Sequence, residues 1–318
     1  MSKTNTISLR FFGLPIIQDL EDFSNLTHVS KYTLFQLSKH SEKYYRVYKI
    51  PKKSGKLRTI SQPSKKLKGL QSWILHNILY RLNVSPSCKG FATGTSTKDN
   101  VEPHKYSNVV LAMDIKDFFP SIERRRVYNV FKSVGYNSLI STILTNLCTF
   151  NEALPQGSPC SPRLANLVTW RLDNRIQHFV GKKGITYTRY ADDLTFSGLN
   201  PIKIIKIIST IDKIIVDEGF KINKSKTRIA GASRQKKITG LVLSDEGFGI
   251  GNTKAKELRS KIFHLTKPAE QKNFKLLNEV IGWLNYLNSV DIKRLSQLKI
   301  YIEKLKKKYS ATLIAQLK

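Results

Sequence analysis

Between Ser64 and Leu82 the apolar residues Leu67, Leu70, Ile74, Leu75, Ile78, Leu79 and Leu82 recur three or four positions apart. That spacing predicts one amphipathic helix, opened by Pro63 and Ser64. Tyr32, Leu34, Phe35 and Leu37 behind Ser30 predict a short capped helix, and Ile122–Val134, Leu139–Leu147 and about Pro162–Val180 predict three more. Ile204, Ile205, Ile208, Ile211 and Ile215 share one helical face although they are β-branched. Elsewhere the period is two. Tyr44–Ile50 alternates, turns at Pro51-Lys52-Lys53-Ser54-Gly55 and resumes at Leu57–Ser61, which predicts a hairpin with a basic tip. Strands are expected at Asn108–Ile115, Ile185–Tyr190, Leu194–Ser197, Lys226–Ile229 and Ile238–Leu243, with Ala191-Asp192-Asp193 as a tight turn. Val84–Asn100 lacks periodicity and reads as loop.

The order strand, helix, hairpin, helix, strand in the middle of the chain is the ferredoxin-like split βαβ arrangement, an antiparallel sheet covered by helices. After Lys254 only helical spacing remains (Val280, Ile281, Leu284, Leu287; then Leu295, Leu298, Ile300, Tyr301, Leu305). An α+β core followed by a small helical bundle is the expected architecture. Lys or Arg interrupts every apolar run before the roughly 18 residues a membrane span needs. The apolar stretch Phe11–Ile17 is short, holds Pro15 and meets Asp19, Glu21 and Asp22, so no secretion signal is expected. Cys88, Cys148 and Cys160 are scattered and odd in number, which fits neither a disulfide framework nor zinc and suits a reducing cytoplasm.

Charge narrows the partner. Lys and Arg number 54 against 23 acids among 318 residues, a formal net charge of +31. Such an excess calls for a polyanion. A membrane surface would want the charge on one amphipathic helix; here it runs from Lys31 to Lys318, which suits a groove tracking a phosphate backbone. The terminal segment from Lys254 carries 15 basic residues against 5 acidic. Lys304, Lys306, Lys307 and Lys308 encircle a helix and read as a solvated face, whereas Arg259, Lys261, Arg294 and Lys299 add to the excess.

In so basic a chain the acidic residues carry the chemistry. Asp114 ends an apolar strand in Met113-Asp114-Ile115-Lys116-Asp117-Phe118-Phe119, and Asp192 and Asp193 fill the turn after Tyr190-Ala191. Taken singly, each has a simple explanation, since Asp bonds nearby backbone at turns and strand ends. Two adjacent carboxylates between apolar strands repel unless a cation lies between them. If the sheet sets the Asp114 strand beside the hairpin, three carboxylates converge on a hard-oxygen site for Mg²⁺. Two such ions about 4 Å apart clamp an in-line phosphoryl displacement. Metal-dependent nucleotidyl transfer is the chemistry that these residues predict.

Tyr190-Ala191-Asp192-Asp193 with the upstream Asp114 strand resembles the palm of a reverse transcriptase. Leu154-Pro155-Gln156-Gly157-Ser158-Pro159 is similar to that family's loop packing nucleotide and template, and Gly219-Phe220 through Lys226-Thr227 to its following motif. The resemblance implies a right-hand polymerase with fingers, a ferredoxin-like palm and an α-helical thumb, using two Mg²⁺ at Asp114, Asp192 and Asp193. By the same resemblance Lys56 and Arg58 grip the triphosphate, Arg58 more securely because its fork matches phosphate oxygens. Phe119 would stack under the sugar and exclude a 2′-hydroxyl, Asp117 would offer its backbone to the triphosphate, Gln156 would pack the nucleotide, and Lys226 would lie near the leaving phosphates. Phe119 as ordinary core beside Phe118, and Asp117 as a helix cap, stay open.

Within that family the compact layout is similar to bacterial retron enzymes. Their Asn-Ala-x-x-His box reads Asn100-Val101-Glu102-Pro103-His104 here, and their Val-Thr-Gly box reads Ile238-Thr239-Gly240. The resemblance implies RNA contact at Asn100, His104, Ile238, Thr239, Gly240, Arg259, Lys261, Arg294 and Lys299. It implies dNTPs and a cognate structured noncoding RNA as partners, priming from a guanosine 2′-hydroxyl, and an RNA-linked single-stranded DNA (msDNA) product. It further implies a role in anti-phage defence, with an effector protein as a further partner and no membrane. Local structure also explains several of these residues: Asn100 as a turn former, His104 as a loop histidine, Ile238-Thr239-Gly240 as a strand with a bend. Residues 1–106 are expected to form an N-terminal extension and fingers, 107–252 the palm (with fingers returning at about 135–160) and 253–318 the thumb. The chain's length leaves no room for an RNase H or integrase. The competing readings are a diversity-generating or stand-alone bacterial reverse transcriptase, an RNA-dependent RNA polymerase, against which Phe119 argues, and a catalytically idle RNA-binding scaffold.

Overall fold

The computed structural model describes residues 3–51, 55, 57–245, 247–267, 270, 272–310 and 312–317. The chain forms two compact units, Met1–Gly94 with Met113–Leu194 and Lys206–Thr227, and Thr95–Ala112 with Thr195–Ile205 and Arg228–Lys318.

In the first unit, three short helices α1 (Thr6–Phe11), α2 (Leu20–Thr27) and α3 (Lys31–Lys39) precede the hairpin β1 (Tyr45–Pro51) and β2 (Leu57–Pro63). Only α3 is expected from periodicity. The first two are too short for it and are set by Asn5 and Asp19, whose side chains accept from the N–H groups of Ser8 and Asp22. The hairpin pairs Tyr48 with Ile60 and Ile50 with Arg58. Helix α4 (Lys65–Asn77) is capped by Ser64 and buries Leu67, Leu70, Ile74 and Leu75.

Helix α5 (Thr97–Val101) occupies the end of the segment expected as loop, closed by a capping box of Ser96 and Asp99. Strand β3 (Val109–Asp114) follows, then α6 (Arg124–Ser133) and α7 (Ser138–Cys148). The single helix expected over about Pro162–Val180 is instead two, α8 (Ser161–Val168) and α9 (Trp170–Gly181). The interruption falls at Thr169, whose hydroxyl donates back to the carbonyls of Ala165 at 2.7 Å and Asn166 at 3.3 Å.

The hairpin β4 (Thr186–Tyr190) and β5 (Asp193–Gly198) turns at Ala191-Asp192, and α10 (Pro201–Asp217) carries the isoleucine stripe. With β6 (Arg228–Ala230) these strands make a four-stranded sheet, order β4-β5-β3-β6, in which Val110 faces Ala230 and Leu111 faces Ile229 across an antiparallel pair.

In the second unit the strand expected over Ile238–Leu243 is two strands, β7 (Lys237–Ile238) and β8 (Leu241–Ser244), followed by β9 (Gly247–Gly249). Thr239 and Gly240 turn between β7 and β8 with φ of 44° and 92°. Two consecutive positive φ values are what a type I′ hairpin turn requires. Helices α11 (Gly251–His264), α12 (Phe274–Val290) and α13 (Ile292–Lys308) bury Leu258, Ile262, Leu284, Leu287, Leu298 and Ile302 in one core with Ile238 and Leu241. Among the described residues no helix is long and apolar enough to cross a membrane.

Candidate active site

Strand β3 is apolar until Asp114, which is 5% exposed. The next amide, Ile115 N–H, donates to the Asp192 carbonyl at 2.9 Å, so the strand end is tied directly to the β4–β5 turn. The backbone of Asn223 donates to the Asp114 carbonyl at 2.8 Å, and the short 3₁₀ turn Lys224–Lys226 then returns a cation: Lys226 Nζ donates to Asp114 Oδ2 at 2.6 Å. Burial pushes Asp193 up to about 6, with the charges of Asp192 and Asp114 adding to it. Asp192 is raised by burial and by Asp114, against the opposing charges of Lys226 and Arg58. Asp193 keeps an exposed side, so solvent screens part of its penalty.

Among the described residues no three acidic, His or Cys side chains already surround one metal position. Lys226 holds one oxygen of Asp114. The donor set is nevertheless all carboxylate oxygen, and two of its members are raised, first by burial and then by the charges of the neighbouring acids. Hard divalent cations fit that chemistry, and Mg²⁺ is the small, oxygen-preferring member of the class.

Around these carboxylates the structure places several of the residues expected at the nucleotide. Arg58, on β2, acts electrostatically on Asp192. Lys56 lies outside the described residues. The Gln156 carbonyl accepts from Ser61 N–H on β2 at 2.8 Å, and a Cβ on Gly157 would stand 2.6 Å from the Ser61 carbonyl, so the loop docks on the hairpin only because residue 157 is glycine. Asp117 is exposed with φ 48°, and its carbonyl accepts from Ser121 N–H at 2.9 Å. The two phenylalanines divide. Phe118 is buried with its ring 6.1 Å from that of Phe220, while Phe119 is half-buried, 5.5 Å from Phe118 and 6.5 Å from Phe91. Phe91, 47% exposed and 6.3 Å from Tyr190, is an aromatic neighbour that the sequence reading passes over. The one hint was a large ring within a Gly- and Thr-rich stretch.

In the second unit the two boxes, 139 residues apart, meet where Asn100 Nδ2 donates to Thr239 Oγ1 at 3.5 Å. Asn100 and Ile238 are 1% and 2% exposed and His104 is fully buried, whereas Thr239 is half-buried and Gly240 exposed. Of these five residues only Thr239 and Gly240, in the turn, reach the surface. His104 Nδ1 lies within hydrogen-bond distance of Ser197 Oγ at 2.7 Å, and Ser197 Oγ accepts from Ser107 Oγ at 2.8 Å. On the terminal helices Arg259 stacks 4.2 Å from the Tyr301 ring centroid, Lys261 pairs with Glu279 and Glu257, and Arg294 donates to Asn252 and Gln297. Lys299 is exposed.

Burial lowers His104 to about 4 from its ordinary 6.5. The folded protein therefore binds fewer protons than the unfolded chain between those values. Stability present above pH 6.5 is lost as pH falls towards 4, by about 3 kcal/mol in full. Denaturant melts of the parent at pH 7 and pH 5, beside those of His104→Gln, check this. Equal acid sensitivity in both proteins would remove His104 as the cause.

Beneath the Asp192–Asp193 turn lies a group the sequence reading did not single out. Arg189 and Asp173 are both fully buried and form a two-pronged pair, Nε to Oδ1 and Nη2 to Oδ2, each at 2.7 Å. Arg189 Nη1 donates to Asn166 Oδ1 and to the Ala191 carbonyl, each at 3.1 Å. Tyr187 Oη donates to Asp173 at 2.8 Å. The available signal was an arginine within a predicted strand next to a tight turn, because a guanidinium that such a strand buries needs a counter-charge.

A family model for "Reverse transcriptase (RNA-dependent DNA polymerase)" matches residues 50–243. The chain is 45% identical over 307 residues to the retron Ec86 reverse transcriptase of Escherichia coli, covering 96% of this chain and 95% of that protein. It is 31% identical over 309 residues to the retron Mx65 reverse transcriptase of Myxococcus xanthus, covering 90% and 72%. A solved telomerase from Candida albicans, in complex with a fragment of telomeric RNA, aligns at TM-score 0.46 and 12% identity over 84% of this chain and 61% of that one. An α+β right-hand fold with this family match defines an RNA-directed DNA polymerase. Within that class, at 45% identity along nearly its whole length, the chain belongs to the retron reverse transcriptases.

Proposed function

We propose that this polymerase copies part of a dedicated noncoding RNA, starting from the 2′-hydroxyl of a guanosine in that RNA, and leaves single-stranded msDNA joined to it. Asp114, Asp192 and Asp193 would hold two Mg²⁺. The observation that carries the catalytic reading is the Ile115 N–H to Asp192 carbonyl bond, which sets the β3 end beside the aspartate turn. When bound, the cations supply charge neutralisation at the triphosphate and a lowered pKa for the attacking hydroxyl. Arg58, with Lys56, grips phosphate oxygens; Gln156 packs against the nucleotide; the backbone at Asp117 faces the triphosphate. Lys226, raised above its ordinary value first by its hydrogen bond to Asp114, stays protonated and offers its charge to the leaving phosphates.

The RNA reading is supported by the Thr239–Gly240 turn, which reaches the surface at Gly240 and is bonded through Thr239 to the buried Asn100, with Ile238 and His104 buried nearby in sequence in the same two boxes. Arg259, Lys261, Arg294 and Lys299 add positive charge for a duplex. Residues 1–106, 107–252 and 253–318 serve as fingers, palm and thumb. The setting is anti-phage defence in the bacterial cytoplasm, with an effector protein as a further partner.

Nucleic acid recovered with the protein tests this. Expected is a short DNA whose mobility shifts after RNase. Unbranched DNA would keep the polymerase and discard the RNA-linked product. RNA alone, with the native locus and dNTPs supplied, would favour an idle scaffold.

Phe119 makes a separate prediction. Its ring, open on one side, rejects a sugar 2′-hydroxyl by collision, so Phe119→Val should lower discrimination between dCTP and CTP by on the order of tenfold to a hundredfold. Single-nucleotide incorporation kinetics check it; an unchanged ratio with normal dCTP turnover would leave Phe119 as packing only.

A further inference from the structure

We infer that the buried Arg189–Asp173 pair, with Asn166 and Gly90, is a positioning device that fixes the backbone at Ala191 and through it the directions of the Asp192 and Asp193 carboxylates. The inference rests on the proposed metal role of those two aspartates. Ala191 adopts φ 56°, a left-handed conformation that a residue with a Cβ takes up only when its surroundings impose it. Two contacts impose it here, and a third residue links them.

Arg189 Nη1 donates to the Ala191 carbonyl at 3.1 Å. That nitrogen is aimed by the rest of the guanidinium, which Asp173 grips at both prongs from α9. Asn166 on α8 accepts from the same Nη1 at 3.1 Å, while its own Nδ2 donates to the Gly90 carbonyl at 2.8 Å. Gly90 in turn lies against the turn so closely that a Cβ would stand 2.6 Å from Ala191 N. The Lys89 N–H to Arg189 carbonyl bond at 2.7 Å and the Arg189 N–H to Ser87 carbonyl bond at 2.8 Å hold the 87–90 segment along β4. The turn is thus clasped from its carbonyl side by Arg189 and from its amide side by Gly90, and Asn166 joins the two.

This geometry matters for chemistry because a metal ligand displaced by about 1 Å costs on the order of a hundredfold in rate. A lysine in place of Arg189 would keep the charge but could not reach Asp173, Asn166 and the Ala191 carbonyl together, since its ammonium is a single point.

The test uses the full chain with Gly90→Ala and Asn166→Ala, which leave the ion pair intact, and Arg189→Lys beside them. Thermal melts identify the folded variants. Mn²⁺ binding to the nucleic-acid-free protein is read by electron paramagnetic resonance, and primer extension gives kcat, KM for dNTP and the Mg²⁺ concentration at half-maximal rate. Expected for Gly90→Ala and Asn166→Ala are Mn²⁺ affinity and half-maximal Mg²⁺ shifted by about tenfold and kcat lowered by about tenfold or more, with KM for dNTP little changed. A role in stability alone would lower the melting temperature and leave both metal readouts at parental values, which would overturn the inference. Asp193→Asn separates the two ideas. If it loses Mn²⁺ binding and synthesis while both other variants match the parent, the positioning inference fails and the metal reading stands. If it binds Mn²⁺ and synthesises like the parent, the metal reading fails and the inference goes with it.

Discussion

Asp192→Asn and Asp193→Asn are each expected to abolish DNA synthesis, by about 10⁴-fold or more, while RNA binding stays within about twofold. Each substitution keeps the shape of the side chain and removes one unit of negative charge from a group of three carboxylates. Asn offers a neutral oxygen where a hard cation needs a charged one. RNA binding should be spared because the proposed RNA contacts, on the terminal helices and at the Thr239–Gly240 turn, are untouched, and one acid fewer slightly favours a polyanion. The same change has an opposite effect on the fold. Asp193 is pushed up to about 6 by burial and by its neighbours' charges, so the metal-free protein is strained at neutral pH and relaxes as pH falls through that value. Asp193→Asn should therefore stabilise the metal-free protein by about 1 kcal/mol at pH 7.5, after allowance for solvent screening, and by nothing near pH 4. Primer extension, filter binding and melts at the two pH values read all three effects. Full-rate synthesis by either variant would sink the two-metal assignment.

Asp173→Ala is expected to cost about 3–5 kcal/mol of folding stability. Both members of the pair are fully buried. Burial alone would depress the guanidinium, and the charge and hydrogen bonds of Asp173 overcome that and hold it above its ordinary value. Removing the carboxylate leaves a cation in the interior and strips Tyr187 Oη of its acceptor. At about 2–4 °C per kcal/mol for a domain of this order, the melting temperature falls by about 10 °C. Replacing both partners, as in Asp173→Leu with Arg189→Met, should recover much of that loss, because two apolar groups leave no charge unpaired. It should not recover metal affinity, since the donor to the Ala191 carbonyl stays missing. A loss below about 1 kcal/mol in the single variant would show that water reaches the pair.

How much of this was legible beforehand follows from the range of the interactions. Three- and four-residue spacing announced α4, α10 and the terminal helices, because it records which side of a helix is dry, and period-two alternation with a turn-rich break announced the β1–β2 hairpin although β1 is exposed along nearly all its length. Where a local bond competed with the pattern, the pattern misled. An expected helix is interrupted at Thr169, and Thr239–Gly240 folds an expected strand back on itself. Short α1, α2 and α5 are written in capping side chains rather than in periodicity.

The candidate site divides in the same way. Asp114, Asp192 and Asp193 stood out by themselves, since acids at the ends of apolar strands in a chain of net charge +31 are conspicuous. Their mutual approach depends on the bond from Ile115 to Asp192, a matter of strand register that no single segment encodes. The meeting of Asn100 with Thr239, the burial of His104 and the pairing of Arg189 with Asp173 are of that kind too. By itself, then, the amino-acid sequence determined most of the elements, the excess charge that calls for a polyanion and the acids that are candidates for the chemistry, because each is a property of neighbouring residues or of their sum. Which acids approach one another, which box residues face solvent and what surrounds the aspartate turn in its left-handed shape were decided only in the tertiary structure. Those are contacts between residues far apart in the chain, made possible when packing brings their elements together.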